Sequence, residues 1–295
     1  MLVIDLMVKR IFVFVLIIFS MQSPLAQIND LGGVEYTSFF GSDSHPFIGI
    51  LKFEMNLPLK LSKKDQYLVN GLSYENVAIH YNTQYDFETN DLDRFHILKY
   101  TLGYTFRMSD TWRFTAQVSP SLASNFVLGT SFDDFVLNGS IILIRTIDSP
   151  KKNRLTLGLA YNQTSGIPFP LPFITYFREI STNLNYTVGV PISKMKYYFG
   201  NKRNSVEGFV RLAGFFANMS RPVRIESQNA NQINLSAVVV GAGYDYYIGK
   251  RLNLFVKTGY LLRNELRLQE NARTEVFNFD IANTFYARGG FKFNF

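Results

Sequence analysis

The sequence has no cysteine, a single tryptophan and three histidines in 295 residues, and each scarcity removes a class of chemistry. Without Cys there is no disulfide framework, no thiol nucleophile, no thiolate metal site and no lipid-bearing N-terminal cysteine. The histidines His45, His80 and His96 put no two rings on one face at close spacing, so no metal site and no cofactor is expected. Long hydrophobic runs are also missing. Beyond the N-terminus the longest are Ile141 to Ile144 and Ala237 to Ala242, far short of the ~20 residues a spanning helix needs. The mean hydropathy is only +0.01. The net charge of +7 comes from basic residues scattered singly or in pairs, with no longer basic run or nucleic-acid motif, so no nucleic-acid partner is expected.

What the chain does have is aromatic side chains, 28 Phe and 17 Tyr, and strict alternation. The last stretch, Ile281 to Phe295, shows it most plainly. Phe285, Ala287, Gly289, Phe291, Phe293 and Phe295 fall on one face, and Thr284, Tyr286, Arg288, Gly290, Lys292 and Asn294 on the other. That is a period-two strand with one apolar and one wet face. With no spanning helix available, the one structure that could cross a bilayer is a closed barrel, because an open sheet edge leaves its backbone unsatisfied in hydrocarbon. A C-terminal strand of alternating aromatics ending on Phe291, Phe293 and Phe295 resembles the assembly signal of bacterial outer-membrane β-barrels. The resemblance implies a Gram-negative outer membrane, its lipid, and the barrel-insertion machinery as a partner during assembly.

Residues 1–26 read as a signal peptide: Lys9 and Arg10 precede the apolar Ile11 to Met21, and Ala26 offers a small residue at the cut. Residues 27–295 then form one barrel domain. Short turns are expected at Ser62 to Asp65, Ser109 to Thr111, Asp148 to Asn153, Gly200 to Asn204 and Ile248 to Lys250. Longer loops are expected around Gly41 to His45, Asn82 to Asp91, Ala123 to Asp133, Thr164 to Arg178, Asn218 to Gln232 and Asn264 to Asp280. Their alternation predicts an all-β antiparallel transmembrane barrel of about 12 strands with both ends on one side.

The strand faces support this. Leu51, Phe53, Met55, Leu57, Leu59 and Leu61 oppose Lys52, Glu54, Asn56, Pro58 and Lys60, and Leu252, Leu254, Val256, Tyr260 and Leu262 oppose Asn253, Phe255, Lys257, Gly259 and Arg263. No apolar face in the clean strands carries a charge, which is what lipid imposes at ~2–4 kcal/mol per buried cation. Tyr67 to Tyr81 and Phe135 to Ile147 change parity partway, and a bulge in each is expected. Tyr67, Trp112, Tyr198, Phe199, Tyr246 and Tyr247 near the short turns, and Tyr81, Tyr161, Phe173, Tyr176, Phe177 and Phe216 near the long loops, are candidates for two aromatic girdles.

The inward faces carry ten basic residues against three acidic ones on this assignment. Lys52, Glu54, Lys99, Arg113, Glu207, Arg211, Lys257, Arg288 and Lys292 are the lumen-lining candidates. In a water-filled lumen such a bias favours small anionic solutes; in a filled one the same groups are ion pairs. The stretch TSGIPFPLPFITYFR is too proline-rich to pair and too apolar for a free loop. Pro168, Phe169, Pro170, Leu171, Pro172 and Phe173 are therefore expected to constrict or cap the barrel, with packing on a partner or a simple interfacial loop as the alternatives.

The whole mature chain resembles Bacteroidetes-type outer-membrane barrels of this length. The Gly166, Pro168, Leu171, Pro172 pattern and the Val190, Pro191, Lys194 stretch resemble one of their uncharacterised families. Neither resemblance carries over a catalytic residue. The expectation is a narrow porin-like pore or a structural barrel with a basic lumen, and no enzyme. Two alternatives stand beside it. A lipase- or protease-like barrel enzyme would need His80 or His96 to meet a Ser or an acid, although no His-x-Ser spacing like that of barrel phospholipases is present. A secreted soluble β-sandwich binding protein would pack the apolar faces on each other.

Overall fold

The computed structural model describes residues 30–42, 45–62, 65–148, 150–163, 170–271, 273–279, 281 and 283–294. The expected signal peptide, 1–26, lies outside them. The strands are β1 (Asp30–Phe39), β2 (Phe47–Ser62), β3 (Gln66–His80), β4 (Arg94–Arg107), β5 (Trp112–Ser124), β6 (Phe135–Ile147), β7 (Asn153–Tyr161), β8 (Leu171–Glu179), β9 (Leu184–Val190), β10 (Ile192–Phe199), β11 (Asn204–Ile225), β12 (Gln228–Ile248), β13 (Leu252–Gln269), β14 (Glu275–Asn278) and β15 (Phe285–Asn294). Each pairs antiparallel with its neighbour, β12 pairs with β13, and β15 pairs with both β13 and β1, so the sheet closes on itself. The result is a closed antiparallel barrel of 14 strands, with β14 attached to β13 beyond the wall. Closure rules out the β-sandwich alternative. Both described chain ends lie together, with Asp30 opposite Asn294.

The strand count exceeds the expected 12 because 171–199 holds three strands where the turn pattern predicts one. Two reversals account for the difference. One is the Ile180 to Asn183 turn, where Leu184 N–H donates to Ser181 Oγ at 3.1 Å. The other is the sharp return around Pro191, where Gly189 N–H donates to Ser193 Oγ at 2.8 Å and Ser193 Oγ–H donates back to Gly189 O at 2.9 Å. Gly189 has φ +139°, and a Cβ there would sit 1.9 Å from Ile174 O, so only glycine fits. The proline-rich segment is corrected with it. Leu171, Pro172 and Phe173 are wall residues of β8; Pro170 is exposed; Pro168 and Phe169 lie outside the described residues. Pro172 is tolerated because β9 reaches only as far as Ile174, leaving residues 171–173 paired on the β7 side alone.

The expected bulges in Tyr67 to Tyr81 and Phe135 to Ile147 are absent from the pairing. β3 runs against β4, and β6 against β5 and β7, in unbroken register. Their apolar residues change parity because the inside of the barrel changes character along its axis. Towards the short turns the inward residues are polar, such as Ser73 and Glu75 on β3. Towards the other end they are Val77 and Ile79, both buried. Outward Leu57, Leu98, Val188, Val256 and Phe285 stay exposed on the outer belt.

The apolar end is filled by the protein itself. A wall strand needs only about 9–11 residues to cross a bilayer, yet β11 has 22 and β12 has 21. Their surplus, read as the loop Asn218 to Gln232, instead continues as a hairpin that lies across the mouth. It meets the opposite wall where Asn218 pairs with Ser124, Ser220 N–H donates to Asn125 Oδ1 at 2.9 Å, and Arg221 pairs with Asp91 at 3.3 Å. Beneath it, Phe215, Phe216, Ile233 and Leu235 pack with Ile48, Val77, Phe95, Ile97, Leu261 and Tyr286 in one buried cluster. Phe95 and Phe215, both 0% exposed, have ring centroids 6.4 Å apart. A second aromatic group, Tyr81, Tyr85, Phe87, Phe277 and Phe279, joins the β3–β4 loop to β14 with centroids 5.0–6.3 Å apart. Burial there pushes the Tyr81 phenol up, and it donates to Leu92 O at 3.1 Å. The girdle expectation is met only in part: Phe199, Tyr246 and Tyr176 face outward, whereas Tyr67 and Phe216 are buried and Tyr198, Tyr247 and Phe177 turn inward.

Candidate functional site: a charged lumen under an apolar cap

Because side chains alternate along each strand, one residue in two points inward, and the register decides which inward residues meet. Below the apolar cluster these residues form a belt of charge. Lys196 lies opposite Glu207, Glu207 opposite Gly243, Gly243 opposite Lys257, and Lys257 opposite Arg288; on the next strands Glu35 lies opposite Lys52, and Lys52 opposite Glu75.

Glu207 is the hub of this belt. Its side chain is 1% exposed and it pairs with Lys257, with Lys196 at 3.5 Å and with Lys194 at 3.9 Å. Lys196 also reaches Asp245 at 2.9 Å and donates to the Tyr247 hydroxyl at 2.9 Å, and Asn253 Nδ2 donates to Asp245 at 3.0 Å. Farther round, Arg288 pairs with Glu35. Lys292 pairs with Asp30 and lies 3.8 Å from Glu54, while Lys52 bridges Glu54 at 3.2 Å and Glu75 at 3.6 Å. The strands between β4 and β9 face the lumen mostly with hydroxyls and amides, with Arg113 and Arg154 towards the rim: Thr101 and Ser119 share a hydrogen bond of 2.9 Å, and Asn138 donates to Ser121 at 3.2 Å.

Of the lumen candidates, Lys52, Glu54, Lys99, Glu207, Arg211, Lys257, Arg288 and Lys292 stand at inward positions of the wall. Arg113 sits at the rim, where it pairs with Asp65 of the β2–β3 turn. The surplus of basic over acidic groups is smaller than the ten against three that the sequence suggests, because Asp30, Glu35, Asp65 and Asp245 also pair with the cations of the lumen and its rim. Asp30 and Glu35 precede the first clean alternation, Asp65 stands in a turn, and Asp245 lies between tyrosines, so none announces itself as inward. Lys194 and Lys196 were missed with the β9–β10 reversal that aims them. Arg263 is a correction: beyond the register shift at Val238/Val239 it lies outside, paired with Glu265 at 2.8 Å.

The polar half of the lumen holds a cavity of about 850 Å³. It reaches the short-turn rim at Asp30, Lys152, Glu179 and Asn294, and is bounded inward by Arg154, Arg211, Lys194, Lys257 and Phe255 among others. His96 faces outward on β4: its Nδ1 is 2.7 Å from the Tyr74 hydroxyl, and its ring stacks between Tyr74 and Phe126. His80 contacts the Phe47 ring. Among the described residues no group of three or more His, Asp and Glu side chains is arranged to hold a metal, and no helix is long and apolar enough to cross a membrane.

These features define a class: a closed antiparallel β-barrel with an apolar outer belt and a charged, partly filled lumen. Residues 45–294 match the model of the family described as Domain of unknown function (DUF6268), and the chain belongs to that family. No curated protein matches it. Among solved structures it is similar to the β domain of the Bordetella autotransporter BrkA, at 13% identity, over 90% of this chain and 100% of that one, with a TM-score of 0.35. It is also similar to a mutant of the TodX monoaromatic hydrocarbon channel, at 11% identity, over 94% of each chain and a TM-score of 0.39. A third is LpxR from Salmonella typhimurium, at 9% identity, over 90% of this chain and 100% of that one, with a TM-score of 0.38.

Proposed function

We propose that the protein is an outer-membrane barrel of the Bacteroidetes type, exported by its N-terminal segment and inserted through its C-terminal strand, whose lumen is a basic vestibule closed at one end. It acts as a gated or structural barrel that admits small anionic solutes from the short-turn side, and it is not a steadily open pore. The observation that carries this is the apolar cluster under the β11–β12 hairpin: a dry packed core is a barrier to ions, whereas a conducting lumen would stay wet along its length. The outward side chains of Phe291 and Phe293 support lipid as the surroundings of the C-terminal strand; Phe295 lies outside the described residues. A non-enzymatic role is supported by His96, whose ring is committed to Tyr74 on the outer face.

The test is conductance of the refolded full chain in a planar bilayer under a salt gradient. The wild type is expected to be silent. A variant with residues 213–237 replaced by a short turn is expected to give steady steps with anion preference. Steady conductance by the wild type would overturn the closed reading.

A further inference from the structure

The cations bordering the cavity are not equivalent. Lys196, Lys257, Arg288 and Lys292 are each held by a carboxylate, Asp245, Glu207, Glu35 and Asp30 respectively. Arg154 and Arg211 have no ion pair within 4 Å among the described residues. Arg154 Nε is buried without a hydrogen-bond partner, its guanidinium 5.8 Å from the Phe177 ring, and Arg211 makes one long bond, 3.4 Å, to Leu212 O. Lys194 reaches a carboxylate only at 3.9 Å. The register gathers these three on one arc of wall. Arg154 lies opposite Phe177, Phe177 opposite Thr187, and Thr187 opposite Lys194; one inward step away Thr156 lies opposite Thr175, and Arg211 opposite Ile192. All of these positions line the same cavity.

We propose that Arg154, Arg211 and Lys194, with the hydroxyls of Thr156, Thr175 and Thr187 between them, form a binding subsite for a small solute bearing a phosphate or carboxylate group. An Arg fork matches such oxyanions with paired N–H donors, and the threonines add neutral donors. Arginines without an ion pair of their own, inside a confined cavity, attract an anion more strongly than the same groups in bulk water. A volume of about 850 Å³ exceeds a bare oxyanion and suits an organic anion with a polar, uncharged body. The proposal rests on the reading of the lumen as a vestibule closed at one end and adds which wall of it binds.

The experiment is isothermal titration of inorganic phosphate into the refolded full chain in uncharged detergent at low salt, with heat-modifiability on gels confirming the fold of each variant. The wild type is expected to bind one phosphate. Arg154→Gln and Arg211→Gln are each expected to weaken binding tenfold or more, and Thr156→Val with Thr175→Val, which leaves every charge in place, threefold or more. Lys292→Gln, whose cation is already paired, is expected to move the affinity less than threefold. An equal loss on removing any of the cations would mean a diffuse field and overturn the subsite, as would a folded wild type that binds no phosphate. If an arginine variant fails to fold, the threonine pair decides alone. Conductance is scored separately: a silent barrel that binds nothing sinks only the subsite, whereas a steadily conducting one sinks the vestibule reading.

Discussion

Glu207 neutralises more charge than any other lumen residue among those described, since three lysines converge on it and its side chain is 1% exposed. Taking away one member of a buried ion pair leaves its partners uncompensated, which costs about 3–5 kcal/mol. Lys196 retains Asp245, so Lys257 and Lys194 bear most of the loss. Glu207→Gln is expected to lower stability by about 3 kcal/mol, read as a drop in the urea midpoint followed by Trp112 fluorescence. Loss below about 1 kcal/mol would mean that water screens the cluster. The carboxylate was legible in the sequence as an inward residue opposite Val206 and Val210. Its role as hub was not, because Lys194 and Lys196 reach it only once Pro191 turns the chain back.

At the scale of the strand, alternation carries information only where the two sides of the wall differ. β2, β4 and β15 were readable along most of their length, and β13 as far as the register shift that turns Arg263 outward, because lipid-facing Leu, Val and Phe oppose Lys, Asn and Thr there. β3 and β6 misled because the difference inverts: Val77, Ile79 and Val136 are apolar and inward, in the zone filled by Phe95 and Phe215. β8 was hidden by Pro170 and Pro172, which mark a loop in any single-sequence reading but here stand at a half-paired edge. The same contrast gives a prediction for the faces. Val256→Arg, on the outer belt, is expected to destabilise the barrel by about 2–4 kcal/mol in a bilayer, whereas Gln117→Lys, facing the lumen, leaves it within about 0.5 kcal/mol. Urea unfolding of the two variants in lipid vesicles would measure the difference, and equal penalties would contradict the assignment of faces.

In the molecule as a whole, 13 of the wall pairings join strands adjacent in sequence or separated only by β14, and one, β1 with β15, joins the two ends. That seam carries the Arg288–Glu35 and Lys292–Asp30 pairs, between residues 253 and 262 positions apart. Contacts of such separation form late, because the intervening chain must be ordered first. Glu35→Gln is expected to slow the appearance of the heat-resistant band on refolding at least threefold, while strand formation by circular dichroism keeps its rate. Equal slowing of both would place the seam early. A ring fastened by its first and last strands is also a clasp in time. Until the final strand arrives, thirteen-fourteenths of the wall ends in two bare edges, so the half-made sheet is the hazardous species. The opposed charges at the seam give those edges a reason to choose each other over a neighbouring chain.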